Sequence, residues 1–107
     1  MHAVIRRYRV AEGVTAADLL ARVQQGFVPV IREMPGFVAF HAIATDDDGV
    51  VSVSIFADRE GADRSTERAA GHIQRELAAY FAGPPEITRG EVGAHAVAAS
   101  TTPPATR

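Results

Sequence analysis

Cysteine, lysine, asparagine and tryptophan are all missing from this 107-residue chain. Without cysteine there is no disulfide framework and no thiolate chemistry, and the cytoplasm is the expected compartment. With arginine as the only strongly basic residue, the usage reads as genome bias rather than function. No apolar run approaches the roughly 20 residues of a membrane-spanning helix. Arg6, Arg7 and Arg9 are not followed by a hydrophobic segment, so the start of the chain does not read as a signal peptide. The net charge of −2 gives no reason to expect nucleic acid or a membrane as partner. No histidine pair has helical metal spacing and no glycine-rich phosphate loop is present, so no metal and no cofactor is expected. Asp46–Asp48 lacks the alternating ligands of a calcium loop. Ser52 and Ser54 lack a nucleophile-elbow context.

What is there suits one folded domain. Apolar residues make up 47% of the chain, an ordinary share for a globular protein. The stretch from Phe37 to Asp58 organises the rest. Phe37–Thr45 and Val50–Ala57 have the length and composition of strands, and the acidic run ending in Gly49 supplies a hairpin turn. His2–Val10 reads as a first strand. Thr15 to about Glu33 reads as a helix capped by Thr15, with Leu19, Leu20, Val23, Phe27, Val30, Ile31 and Met34 on one stripe. Pro29 removes the bond to the carbonyl of Gln25 and is expected to kink it, the alternative being two short helical pieces. Asp58 to about Phe81 reads as a second helix, capped by Asp58, with Ala62, Ala69, Ala70, Ile73, Leu77, Tyr80 and Phe81 on its stripe. Glu86–His95 is a weaker last strand. Residues 96–107 read as a flexible tail behind a domain of residues 1–95.

The order β-α-β-β-α-β is the ferredoxin-like α+β arrangement, a four-stranded antiparallel sheet with two helices on one face. Two helices cover one face only, yet the hairpin strands are apolar on both. A second copy of the chain, packed about a two-fold axis, is the expected cover.

Three motifs carry a family resemblance: Val10-Ala11-Glu12-Gly13 after the first strand, Pro35-Gly36-Phe37 entering the second, and Phe56-Ala57-Asp58-Arg59 leading into the second helix. With the element order they resemble the antibiotic-biosynthesis monooxygenase (ABM) superfamily of dimeric α+β barrels, over about residues 3–93. The resemblance implies a homodimer and a cofactor-independent monooxygenase acting on a small aromatic or polyketide-type substrate. It also brings in haem-degrading relatives. Both oxygenase types use an Asn together with a Trp, and this chain has neither; Arg6 stands at or beside the strand-one Asn position. The alternative is therefore a non-catalytic ligand-binding or structural dimer on the same scaffold.

A two- or four-residue hairpin loop would put Val51, Val53 and Ile55 under the helices with Phe40 and Ala42. The helix-free face would then carry Phe37, Ala39, His41 and Ile43 with Val50, Ser52, Ser54 and Phe56; a three-residue loop would reverse this. That mixed apolar and hydroxyl surface suits a small apolar or aromatic ligand, with Phe37, Ser52, Ser54 and Phe56 as binding residues. Arg6 and Tyr8 join it because the family's cavity-lining strand-one positions fall there. His41 is the candidate base, or else an interface histidine. Arg6 holds an anionic substrate group or an interface salt bridge, and Tyr8 is core with its hydroxyl at the edge. Phe56→Asp is expected to weaken the dimer. His72 sits where haem-degrading relatives carry an axial ligand, but Arg68, Arg75 and Glu76 around it suggest a solvated face, so no haem is expected.

Overall fold

A computed structural model describes residues 1–98. The strands are β1 (His2–Tyr8), β2 (Phe37–Ala44), β3 (Val50–Phe56) and β4 (Glu86–Glu91). They form one antiparallel sheet in the order β2-β3-β1-β4. Between β1 and β2 the chain runs through α1 (Ala16–Arg22), a π-helical turn (Val23–Phe27) and α2 (Val28–Ile31). Between β3 and β4 it runs through α3 (Arg59–His72), a second π-helical turn (Ile73–Leu77) and a short 3-10 turn (Ala78–Tyr80). This is the expected ferredoxin-like arrangement.

The caps fall where the sequence places them. The Thr15 hydroxyl accepts from the Asp18 N–H at 3.1 Å, and the Asp58 carboxylate accepts from the Gly61 N–H at 2.7 Å. Around Pro29 the helical passage divides into short pieces. The helix ahead of it widens, so that the Val28 N–H reaches back to the Val23 carbonyl, and Pro29 then sits in the first turn of α2. An opening turn has no use for the N–H that proline lacks, so the widened turn absorbs the misfit. The last strand stops at Glu91, short of the expected His95, and residues 92–98 belong to no element. Of the predicted tail, Ala96, Val97 and Ala98 are exposed, and 99–107 lie outside the described residues.

The hairpin reverses the expected parity. The last pair is Ala44 with Val50, which leaves Thr45–Gly49 as a five-residue loop. The Thr45 side chain organises it: its hydroxyl donates to the Asp47 carboxylate and accepts from the Gly49 N–H at 2.9 Å. Asp48 takes the left-handed turn with φ 64°. An odd loop aligns even with even, so Phe40 pairs with Ser54, Ala42 with Ser52 and His41 with Val53. Val4, Arg6, Tyr8, Val50, Ser52, Ser54 and Phe56 are therefore the buried, helix-covered set. Val51, Val53 and Ile55, expected under the helices, instead lie half-buried on the bare face with exposed His41 and Ile43. Phe37, expected on the bare face, is returned to the core by a bulge at Val38, and packs edge-on to Phe56 at 5.8 Å.

Two groups of side chains make the core. Val4, Phe27, Ile31, Phe56, Ala62 and Ala69 pack at one end of the sheet. Tyr8, Ala16, Leu19, Val50 and Leu77 pack at the other. Small residues at 61, 62, 65 and 69 bury one face of α3 and let its backbone lie close to the sheet.

Candidate functional site

The two core groups leave a cavity of about 40 Å³ between them. Its sheet wall includes Arg6, Tyr8, Phe40, Ala42 and Ser52, and its helix wall includes Phe27, Ala69, His72, Ile73 and Leu77. Both π-helical turns contribute to that wall, Val23 and Phe27 from one, Ile73 and Leu77 from the other. Such turns displace side chains from the regular helical spacing, and they recur at functional sites.

Arg6 is the most unusual member. It is 2% exposed. Its guanidinium donates to the Ser54 hydroxyl at 3.2 Å and the Thr66 hydroxyl at 3.0 Å. No carboxylate reaches it among the described residues. Burial holds its pKa below the usual arginine value; Tyr8 opposes that shift and Arg89 adds to it. Tyr8 is held up by burial, against the pull of Arg6 and a hydrogen bond with Ser52, so its phenol stays protonated. Tyr8 also stacks on Phe81 at a centroid distance of 4.7 Å.

His72 is half-buried: it lines the cavity and also a more open groove with Arg22, Gln25 and Glu76, so the solvated surroundings its charged neighbours suggested hold on one side only. Its ring lies 5.4 Å from that of Phe27 and faces Gly26, where an added Cβ would stand 3.4 Å from the imidazole. Burial holds its pKa below the ordinary histidine value; Glu76 raises it and Arg75 lowers it. The imidazole is therefore neutral at pH 7. One signal pointed here: His72 is three residues after Ala69 and directly precedes Ile73, both on the apolar stripe. The flanking Arg and Glu residues masked it.

The other sequence candidates separate. His41 is exposed on the bare face, on the opposite side of the sheet from Ser54 and the cavity. Ser52 lines the cavity. Ser54 lies beneath it as a partner of Arg6. Phe56 is fully buried core rather than a ligand contact or an interface residue. Phe37 lies outside the cavity, in a groove between α2 and β2. Among the described residues no cluster of three or more His, Asp or Glu side chains could hold a metal.

The model of the antibiotic biosynthesis monooxygenase family matches residues 1–74, most of the helix-covered site. The chain belongs to this family. Solved structures agree on the fold. A Nitrosomonas europaea protein of unknown function is 23% identical with a TM-score of 0.76, covering 92% of this chain and 95% of its own. The monooxygenase ActVA-Orf6 of Streptomyces coelicolor, in complex with nanaomycin D, is 18% identical with a TM-score of 0.72, covering 91% of each chain. A MhuD variant with two manganese protoporphyrin IX molecules per active site is 16% identical with a TM-score of 0.70, covering 92% of this ABM chain and 100% of its own. No curated protein matches the chain by sequence. No helix among the described residues is long and apolar enough to cross a membrane.

Proposed function

We propose that this ABM protein is a cofactor-independent monooxygenase that takes a small aromatic, polyketide-type substrate into the cavity between sheet and helices. One observation carries the reading: in a chain of this family, an imidazole and a phenol, with burial favouring the uncharged form of each, line the same largely apolar cavity. The fold likeness to a monooxygenase solved with nanaomycin D supports it.

The chemistry needs little from the protein. An anthrone-type substrate has an acidic ring CH2 flanked by aromatic rings and conjugated to a carbonyl. His72 takes one proton from that carbon, and the Tyr8 hydroxyl donates to the enolate oxygen that forms. The electron-rich carbon then reacts with dioxygen. In the net change two C–H bonds are replaced by C=O, one oxygen atom enters the ring and the other leaves as water. The substrate supplies all four electrons, so no external reductant is required. Apolar walls keep bulk water from the carbanion. The cavity is small for a fused ring system, so binding requires the helical wall to move away from the sheet.

Oxygen uptake with anthrone, corrected for spontaneous oxidation, tests this. Enzyme-dependent uptake of one dioxygen per anthraquinone formed is the expected result. Anthrone binding with no uptake above background would instead favour a ligand-binding protein.

The same reading includes a homodimer across the bare face of the sheet. Ile5 and Ile43 are 40% and 46% exposed there, beside half-buried Val51, Val53 and Ile55. A solvated sheet face normally carries polar residues throughout, whereas the middle of this one is aliphatic, with Arg7, His41 and Thr88 around it. Val53 pairs with Ile5 on one side and His41 on the other, which puts it mid-face. Val53→Asp is expected to weaken the dimer roughly a hundredfold or more, because a carboxylate would be buried without a partner. Sedimentation equilibrium reads this directly, and a wild type that is monomeric at micromolar concentration would remove the proposal.

A further inference from the structure

Arg6 belongs to two spaces. One is the cavity already described. The other is an open trough of about 240 Å³ between α3 and β4, walled by Ala70, Ile73, Pro85 and Ile87, with Thr66 and Gln74 at its side. Arg6 and Tyr8 line both. The guanidinium is thus a charged floor beneath an apolar slot.

The charge on that floor is unbalanced. Ser54 and Thr66 are neutral partners, and the Thr66 hydroxyl is itself fixed by donating to the Ala62 carbonyl at 3.1 Å. Two of the five guanidinium N–H groups are accounted for by these hydroxyls. The nearest other charge on the helix-covered face of β4 is also positive: Arg89, whose guanidinium is 3.3 Å from Asp63. A buried cation with no counter-ion is expensive to keep, and the cost falls when an anion arrives. The flat guanidinium fork matches a carboxylate, and the aliphatic walls match an aryl ring.

We infer that the trough between α3 and β4 is an anion site for an aromatic carboxylate, whose carboxylate rests on Arg6 and whose ring lies against Ala70, Ile73, Pro85 and Ile87. Ser54 and Thr66 are positioning residues that aim the fork. For the substrate class the inference rests on the proposed oxygenase reading: the substrate would carry a carboxylate substituent reaching from the reacting ring into the trough.

The test is calorimetric binding of 2-naphthoate and of its uncharged methyl ester, under nitrogen so that no turnover is involved. Wild type is expected to bind the acid about tenfold or more tightly than the ester, the size of one charge-assisted contact. Arg6→Met should abolish the preference while raising the thermal midpoint of the ligand-free protein, because an unpaired buried charge is removed. Ile87→Glu, at the trough's wall, should weaken the acid and spare the ester. Equal affinities in wild type, or a preference that survives Arg6→Met, would overturn the anion site. If Arg6→Met does not fold, Ile87→Glu decides, and an unchanged preference there overturns the trough placement. Anthrone oxidation is independent of these readouts. Its absence would sink the oxygenase reading and leave the site standing, and the converse also holds.

Discussion

Phe56→Asp is expected to leave no folded protein. The sequence pattern put Phe56 at a dimer interface, where an aspartate would cost only association. In the structure Phe56 is 0% exposed in the core of the single chain. Its ring lies edge-on to Phe37 and against the backbone of Gly61, where an added Cβ would be 3.1 Å from Phe56 Cδ2. Truncating a buried phenylalanine to alanine costs about 3–5 kcal/mol, and a site walled partly by backbone collapses poorly. An unpaired carboxylate adds several kcal/mol more. A domain of this size has roughly 5–15 kcal/mol in total. Phe56→Leu keeps most of the volume and should leave a folded, less stable protein. Circular dichroism with thermal melts separates the outcomes. A folded Phe56→Asp monomer would show that the ring contributes little to the core.

The second large effect falls on turnover. His72→Gln is expected to lower kcat for anthrone oxidation by about 10²–10⁴-fold, the usual contribution of a positioned base. Glutamine can keep packing against Gly26 and Phe27 but cannot take the proton. The wild-type rate has a defined pH sign. Burial lowers the His72 pKa, so the active neutral form predominates at pH 7 and is lost as pH falls through a value below the ordinary histidine one. Stability follows the same sign. The unfolded chain binds the proton more readily, so this contribution is present above the unfolded value and lost as pH falls through the folded one. The charges facing the ring, Glu76 and Arg75, act in opposite directions. A His72→Gln variant with wild-type kcat and an unchanged acid limb would remove His72 from the mechanism.

Much of the architecture is local, and local chemistry was legible. Thr15 and Asp58 are capping residues followed by apolar stripes, and each caps as the sequence implied. Pro35-Gly36 ends the first helical passage, with Gly36 at φ 80°, where a Cβ would be strained. The Val10–Gly13 and Phe56–Arg59 motifs carried the family. The order of elements then left few ways to pair the strands, and the antiparallel sheet follows from it.

The site was not local, and one structural detail decided it. Side chains alternate along a strand with a period of two, so the register of a single hairpin sends each residue to one face or the other. An Asp-Asp-Asp-Gly run marks a turn without stating how many residues stay unpaired. Only the folded hairpin, with Thr45 bonded to Asp47 and Gly49, shows that the count is odd. That count moved Ser52, Ser54 and Phe56 beneath the helices and left His41 outside. His72 depended on tertiary structure for a different reason. Arg75 and Glu76 beside it made its surroundings look solvated, but a neutral, cavity-lining imidazole needs the bare backbone of Gly26 on the facing helical passage, a closeness set by packing across the domain.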